Sequence, residues 1–402
     1  MHKYIRTGLI IAITLIAVMF NCKKGKTAIP FKNGSKGAMS IASKSPVSSG
    51  IRIAWDISTM KKVSAPGPDY CGYARMTQLC DHSLLTVYEA DGNIVCVKST
   101  DLGVTWSIPI TIATYSEGVS MAVPDILELK DHSILVCYNP RPGKKATGKR
   151  FGIRTQKSYD DGATWKDECL LYEAGDFFNN GCWEPSAIQL PNGEIQLFFA
   201  NEGDYLNSDE QNISLLRSFD NGLSWSKTRE IVCFRPGCRD GMPSPVLLQN
   251  GTDIVFSIED NGYGNFKPAT IRNTLINNWA NQVGAYSPDR NYALAEPIAD
   301  PIYAGAPYLR QLKSGQTILS YQGTEGRTNN IKFAEMKVVI GDQNAKNFSS
   351  KTVPFDIAVN KSGLWNSLVV LSDNTIIALT STNSYSKLNT EIWMIKGHVI
   401  AE

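Results

Sequence analysis

Ser99-Thr-Asp101-Leu-Gly103-Val-Thr105-Trp106, Ser158-Tyr-Asp160-Asp-Gly162-Ala-Thr164-Trp165 and Ser218-Phe-Asp220-Asn-Gly222-Leu-Ser224-Trp225 are one eight-residue pattern written three times. Each copy follows a strand-like run, at 94–98, 153–157 and 213–217. The spacing is that of a tight hairpin: the Asp and Ser/Thr side chains bond the turn's own backbone, Gly supplies a positive φ, and Trp packs back onto the sheet. Such acids are turn residues first, and their prominence in the sequence is no argument that they do chemistry.

A longer repeat surrounds the turns. An apolar strand, a polar turn and a second alternating strand recur at 73–88, 123–138, 184–199, 242–258, 306–321 and 365–380. Six copies, spaced for about four strands each, predict an all-β, six-bladed β-propeller with four-stranded antiparallel blades around a central channel. The fourth copy keeps a remnant of the hairpin motif at 273–279, and the last two have lost it. A turn on an outer edge tolerates such decay.

The chain has 402 residues, 43% of them hydrophobic, which suits one large domain. Residues 1–21 begin with Lys3 and Arg6 and carry an apolar run over 9–20, too short to span a bilayer and readable as a secretory signal. Cys22 follows at once. It resembles the lipidated cysteine of a bacterial lipoprotein, although Met19-Phe20-Asn21 departs from the small residues usual there, and a plain cleaved signal is the alternative. Residues 22–50, rich in Lys, Ser and Gly, read as a flexible tether to a propeller at 51–402. The expectation is an exported monomer in the periplasm or at the cell surface, touching a membrane only through a lipid on Cys22.

All 38 acidic residues lie beyond residue 50, against 32 of the 40 basic ones, so the domain makes no electrostatic case for nucleic acid. Four scattered histidines, His82 and His132 among them, argue against a His-rich metal site, and neither metal nor cofactor is expected. Cys96 and Cys137 fall inside strand-like runs and read as buried free thiols. Cys233 and Cys238, close together, suggest a disulfide.

Function has to come from the channel mouth. Leu79, Leu129, Leu190, Leu248, Leu312 and Leu371 precede the turns, and residues two, four or six places before them share a face if alternation is strict. That face carries Arg75, Asp125, Glu184, Tyr308, Arg310 and Trp365, a polar and aromatic set suited to a sugar. Glu184, between Trp183 and Pro185, is the sharpest catalytic candidate, because partial desolvation raises a carboxyl's pKa and suits it to protonating a leaving oxygen. A salt bridge is its bland alternative. Glu259 ends a strand at the rim of the next blade and offers a second carboxylate. Arg239 is a candidate to hold a substrate hydroxyl or to keep a carboxylate ionised, with a surface charge as the alternative, and Tyr321 for substrate binding or plain packing. Glu89 and Asp91 read as solvated rim residues.

The three hairpin motifs and Tyr73-Ala-Arg75-Met resemble the Asp boxes and first arginine of the sialidase superfamily. Trp183-Glu184-Pro185 and Gly241-Met-Pro243, leading to a strand that ends in Glu259, resemble more closely the exo-arabinanases of glycoside hydrolase family 93. That resemblance implies retaining, exo-acting hydrolysis of α-1,5-linked arabinan, with Glu184 as acid/base and Glu259 as nucleophile. A sialidase reading would use Arg75, Arg239 and Arg310 to grip a carboxylate and Asp91, a loose fit, as acid, with a tyrosine nucleophile for which no late tyrosine is clearly marked, Tyr385 lying in a polar loop. It departs from the pattern at Arg75-Met76-Thr77. A propeller that only binds a glycan or a protein is the reading from another class.

Overall fold

The computed structural model describes residues 50–401 apart from 145 and 387, so the signal segment, Cys22 and nearly all of the tether lie outside the described residues. Among the described residues, 24 strands form six four-stranded sheets. Their first strands, Cys71–Gln78, Val119–Glu128, Cys182–Gln189, Asp240–Leu247, Ala304–Gln311 and Gly363–Val370, are the inner strands of blades one to six. The ring closes through a strand that the repeat does not reveal. Ile51–Lys62 pairs antiparallel with Glu391–Ala401, Ile51 opposite Ala401, and so supplies the outer strand of blade six from the other end of the domain.

Neighbouring blades pack face to face, which explains the apolar runs in their middle strands. Phe198 of blade three meets Phe256 of blade four at 5.1 Å, with Trp279 closing on both. Between blades one and two the layer includes Val87, Cys96, Val136 and Tyr138. Each large side chain so buried contributes about 1.5–3 kcal/mol. Cys96 and Cys137 are buried free thiols, as their strands imply. The disulfide expectation fails: Cys233 is fully buried, accepts from Arg290 Nη2 at 2.9 Å and stays free, as does Cys238.

The hairpin motifs behave as their residues dictate. In the first, Ser99 Oγ accepts from the Gly103 N–H at 2.8 Å and donates to Asp101, which accepts from the Thr105 N–H at 2.9 Å and its hydroxyl at 2.6 Å. Ser158/Asp160 and Ser218/Asp220 repeat the set. Those bonds hold Asp101 and Asp160 down to about 2, so these acids are permanently ionised turn braces. Ser99 lies opposite Leu84, which places the motifs at the same end of the blades as the Leu79 turn. Glu89, at the other end of the same strand pairing, faces the channel mouth.

Strict alternation fails in every inner strand, at the same place. The registers shift between Gly72/Arg75, Ala122/Asp125, Trp183/Ser186, Gly241/Ser244, Gly305/Tyr308 and Leu364/Ser367, one extra residue each time. Within each bulge one residue is left-handed: Tyr73 (φ 54), Val123 (48), Glu184 (46), Met242 (54), Ala306 (48) and Trp365 (54). For non-glycine residues this is strained, and such strain persists only where the surroundings fix it. In four bulges proline follows, at 124, 185, 243 and 307, where no ladder N–H is required. The ring of six is therefore a built feature of the mouth, and Glu184 is its charged member.

Candidate active site

Glu184 keeps 16% of its side-chain surface and accepts from Arg141 Nη2 at 3.1 Å. Arg141 stands at the end of the second strand of blade two, where Asn139 accepts from its Nε at 2.6 Å. Its guanidinium lies over the Trp183 ring at 4.9 Å and the Tyr73 ring at 5.7 Å, and Tyr73 stacks on Trp365 at 4.4 Å. Burial pushes the Glu184 carboxyl up, and the charges of Arg141, Arg239 and Arg75 pull it back.

Glu259 sits opposite Gly241, and its Oε2 accepts from the Ala306 N–H at 2.8 Å. A Cβ on Gly305 would lie 2.5 Å from both Glu259 Oε2 and the Tyr303 hydroxyl, so the glycine is what lets carboxyl and phenol converge there. Burial first, then the neighbouring Glu184 charge, raises Glu259 to about 7 against the N–H and Arg239. Two further carboxyls share the region. Glu89, raised to about 7 by burial, accepts from the Val123 N–H and feels Arg141. Glu202, also raised to about 7 by burial, accepts from Trp183 Nε1 at 2.8 Å and pairs with Arg239. Four carboxyls and two arginines thus share a partly dry mouth, with fewer charges than groups at neutral pH.

The structure sorts the sequence candidates by height. Arg75, Asp125 and Tyr308 line the throat below Glu184 and are almost fully buried. Arg75 donates to the Ala74 and Trp365 carbonyls at 2.9 and 3.3 Å and lies 4.7 Å over the Tyr308 ring. Asp125 accepts from Ser186 Oγ at 2.5 Å. Arg310 donates to Ser244 Oγ at 3.3 Å and to Tyr308, deeper in the wall. The void among these groups is about 10 Å³, room for about one water and not for a sugar ring, so a ligand belongs above them. Trp365 and Arg239 do reach the mouth region, Arg239 committed to Glu202 and to the Asp209 carbonyl at 3.0 Å.

Two expectations are corrected. Tyr321 is fully buried in the layer between blades four and five and donates to Glu325 at 2.8 Å; it is a packing residue, like Tyr88 and Tyr138 at the same place in their blades. Glu89 is no free rim charge but a half-buried carboxyl of the mouth that accepts from the Val123 N–H. Asp91 is exposed, as its rim position implies, and caps the loop before the first inner strand, accepting from the Asp69 and Tyr70 N–H groups at 3.1 and 3.0 Å. Sequence reading also missed Arg141, Glu202 and Tyr303. Their signal was faint: polar residues at the ends of second strands, or just ahead of an inner strand.

Neither a family model nor a curated relative matches the chain. Solved structures do. It is similar to the α-L-arabinofuranosidase Arb93A of Fusarium graminearum, with TM-score 0.63 and 17% identity over 84% of this chain and 97% of that one. A Dyadobacter fermentans protein of unknown function aligns over 88% of this chain and 100% of its own, with TM-score 0.67 and 16% identity. The NanB sialidase of Streptococcus pneumoniae aligns over 85% and 70%, with TM-score 0.61 and 12% identity. The fold is that of the Asp-box propellers. Within this Asp-box propeller, the mouth charges lie at the end of the blades opposite the boxes themselves.

Proposed function

We propose that this Asp-box propeller is an exo-acting glycoside hydrolase whose carboxyl pair is Glu184 and Glu259, acting on the ends of α-1,5-linked arabinan or a similar furanoside. The carrying observation is two carboxyls at the mouth, each raised by burial, with the Glu184 charge raising Glu259 further and Arg239 acting on both. Support for the substrate class comes from neighbours of the same fold: the Fusarium graminearum and Penicillium chrysogenum enzymes were solved with arabinobiose. In a retaining reaction one carboxyl protonates the leaving oxygen while the other attacks the anomeric carbon, and the first then deprotonates the water that releases the sugar.

The environments suggest which is which. Glu184 bonds a guanidinium that favours its charge; Glu259 bonds a neutral N–H and feels the Glu184 charge more than that of Arg239. A single proton is therefore more stable on Glu259, which suits it as donor with Glu184 as the ionised partner. This reverses the roles that the family resemblance implies.

The sialidase reading fits less well. Arg75 and Arg310 are engaged within the throat wall, Arg239 is paired with Glu202, and the Tyr385 hydroxyl donates to the Asp356 carbonyl at 3.0 Å, stacked edge-on with Trp393. Export, with a lipid on Cys22, remains part of the proposal, since it rests on residues 1–50 alone.

Hydrolysis of arabinan, aryl arabinofuranosides and sialosides by the full chain tests the reading. Arabinoside cleavage lost in Glu184→Gln and Glu259→Gln is the expected result, and inactivity across a broad glycan panel overturns it in favour of a binding module. With an activated aryl substrate, azide should rescue Glu259→Ala to a product of retained configuration and Glu184→Ala to an inverted one. The opposite pattern restores the roles implied by the resemblance.

A further inference from the structure

On the underside, the turns between first and second strands are tied blade to blade by a bond pattern that repeats. In three seams a glutamine just before the turn leucine serves twice. Gln78 accepts from the Ser372 N–H at 2.7 Å and donates to the His82 carbonyl at 3.3 Å. Gln189 accepts from Lys130 at 2.8 Å and donates to Gly193 at 3.2 Å, and Gln311 accepts from Gln249 at 2.8 Å and donates to Gly315 at 2.6 Å.

Between blades one and two the same place holds Glu128. It accepts from the Cys80 N–H at 3.2 Å, but a carboxylate has no proton for the His132 carbonyl, and its Oε1 meets His132 Nδ1 at 3.1 Å instead. In three of the six seams this place holds an amide, and here a carboxylate stands. Cys80 is equally out of pattern: its counterparts are Lys130, Pro191, Gln249, Lys313 and Ser372. The departures coincide in space. The Cys80 sulfur, a Glu128 oxygen and a His132 ring nitrogen lie within 4.8 Å of one another, Cys80 and His132 exposed and Glu128 half-buried.

We propose that Cys80, Glu128 and His132 bind one borderline-soft divalent cation, Zn²⁺ being the best match, with water completing the tetrahedron. One thiolate, one imidazole and one carboxylate suit Zn²⁺; Mg²⁺ and Ca²⁺ want oxygen donors alone. Zn–S and Zn–N lengths of about 2.3 and 2.0 Å imply ligand-to-ligand edges of about 3.3–3.8 Å, which side-chain rotation on these two hydrogen-bonded turns can reach. The site stitches blade one to blade two at the end of the blades away from Glu184 and Glu259, so its task is structural and independent of the proposed hydrolysis. The scattered histidines hid it in the sequence, because the three ligands come from two blades.

Cobalt titration of the full chain tests this. One equivalent of Co²⁺ should bring up a thiolate-to-metal charge-transfer band that Zn²⁺ bleaches. Cys80→Ser should remove the band, and Glu128→Gln and His132→Ala should each weaken Zn²⁺ binding tenfold or more in competition with a chromogenic chelator. Glu128→Gln installs the amide used in three other seams, so its loss of affinity cannot be put down to misfolding. A wild-type chain without the band, or a band that survives Cys80→Ser, overturns the proposal.

Discussion

Glu259→Gln should stabilise the protein in alkali and change little in acid. Its carboxyl rises from the ordinary 4.5 to about 7 because it is buried and lies near the Glu184 charge. Below about pH 4.5 it is protonated whether the chain is folded or not, and it contributes no pH dependence. Between about 4.5 and 7 the folded state holds a proton that the unfolded chain has released, so stability falls as pH rises; above about 7 the whole penalty stands. At about 1.36 kcal/mol per pH unit the penalty reaches about 3.4 kcal/mol, and partial exposure reduces it to about 1–3 kcal/mol. Glutamine cannot ionise, yet its carbonyl oxygen can still cap the Ala306 N–H. Urea unfolding at pH 5 and pH 8 measures the difference: a gain of about 1–3 kcal/mol at pH 8, and less than about 1 kcal/mol at pH 5. Equal effects at both pH values would refute the assignment of a half-buried, proton-holding Glu259.

Arg141→Gln removes the charge that holds Glu184 down, so the Glu184 limb of the pH–rate profile should move to higher pH, with kcat/KM falling roughly 10–100-fold. If the acid limb moves, Glu184 works ionised; if the alkaline limb moves, it works as the acid. Ser158→Ala strips the Gly162 N–H of its buried acceptor and should cost about 1–3 kcal/mol in urea unfolding with kcat unchanged. Phe178 is 71% exposed and packs 4.8 Å from Trp183, the neighbour of Glu184; Phe178→Ala should raise KM roughly 2–10-fold with kcat intact.

The propeller was legible because its repeat is local: a hairpin motif closes within eight residues, and each blade's first two strands are contiguous in sequence. Blade six shows the limit, since its outer strand Ile51–Lys62 lies more than 300 residues from its partner and carries no motif. Glu184 was legible because Trp183 and Pro185 flank it. Arg141, Glu89 and Glu202 were not, because the inner-strand bulge shifts the register by one residue and so decides which second-strand end reaches the mouth. A ruler built on strict alternation cannot see that shift. It put Arg75, Asp125 and Tyr308 on one face with Glu184 as an open sugar-binding set, whereas the structure puts them in the throat beneath it.

The same bulges tie the chemistry to the fold. A left-handed residue at the mouth turns its N–H out of the blade's own ladder, and in three cases the second strand of the preceding blade supplies an acceptor. Glu89 takes the Val123 N–H, Glu259 that of Ala306, and Gln322 that of Trp365 at 2.8 Å. Gln322 shows that an uncharged amide is enough for this task. Carboxyls at the other two places therefore exceed what the bulge needs, and a buried carboxyl that destabilises the fold at neutral pH makes sense where its proton is used. Glu259 shares the mouth with Glu184 and fits that use directly. Glu89 acts on the same Arg141 that holds Glu184, so its charge state bears on that arginine's grip.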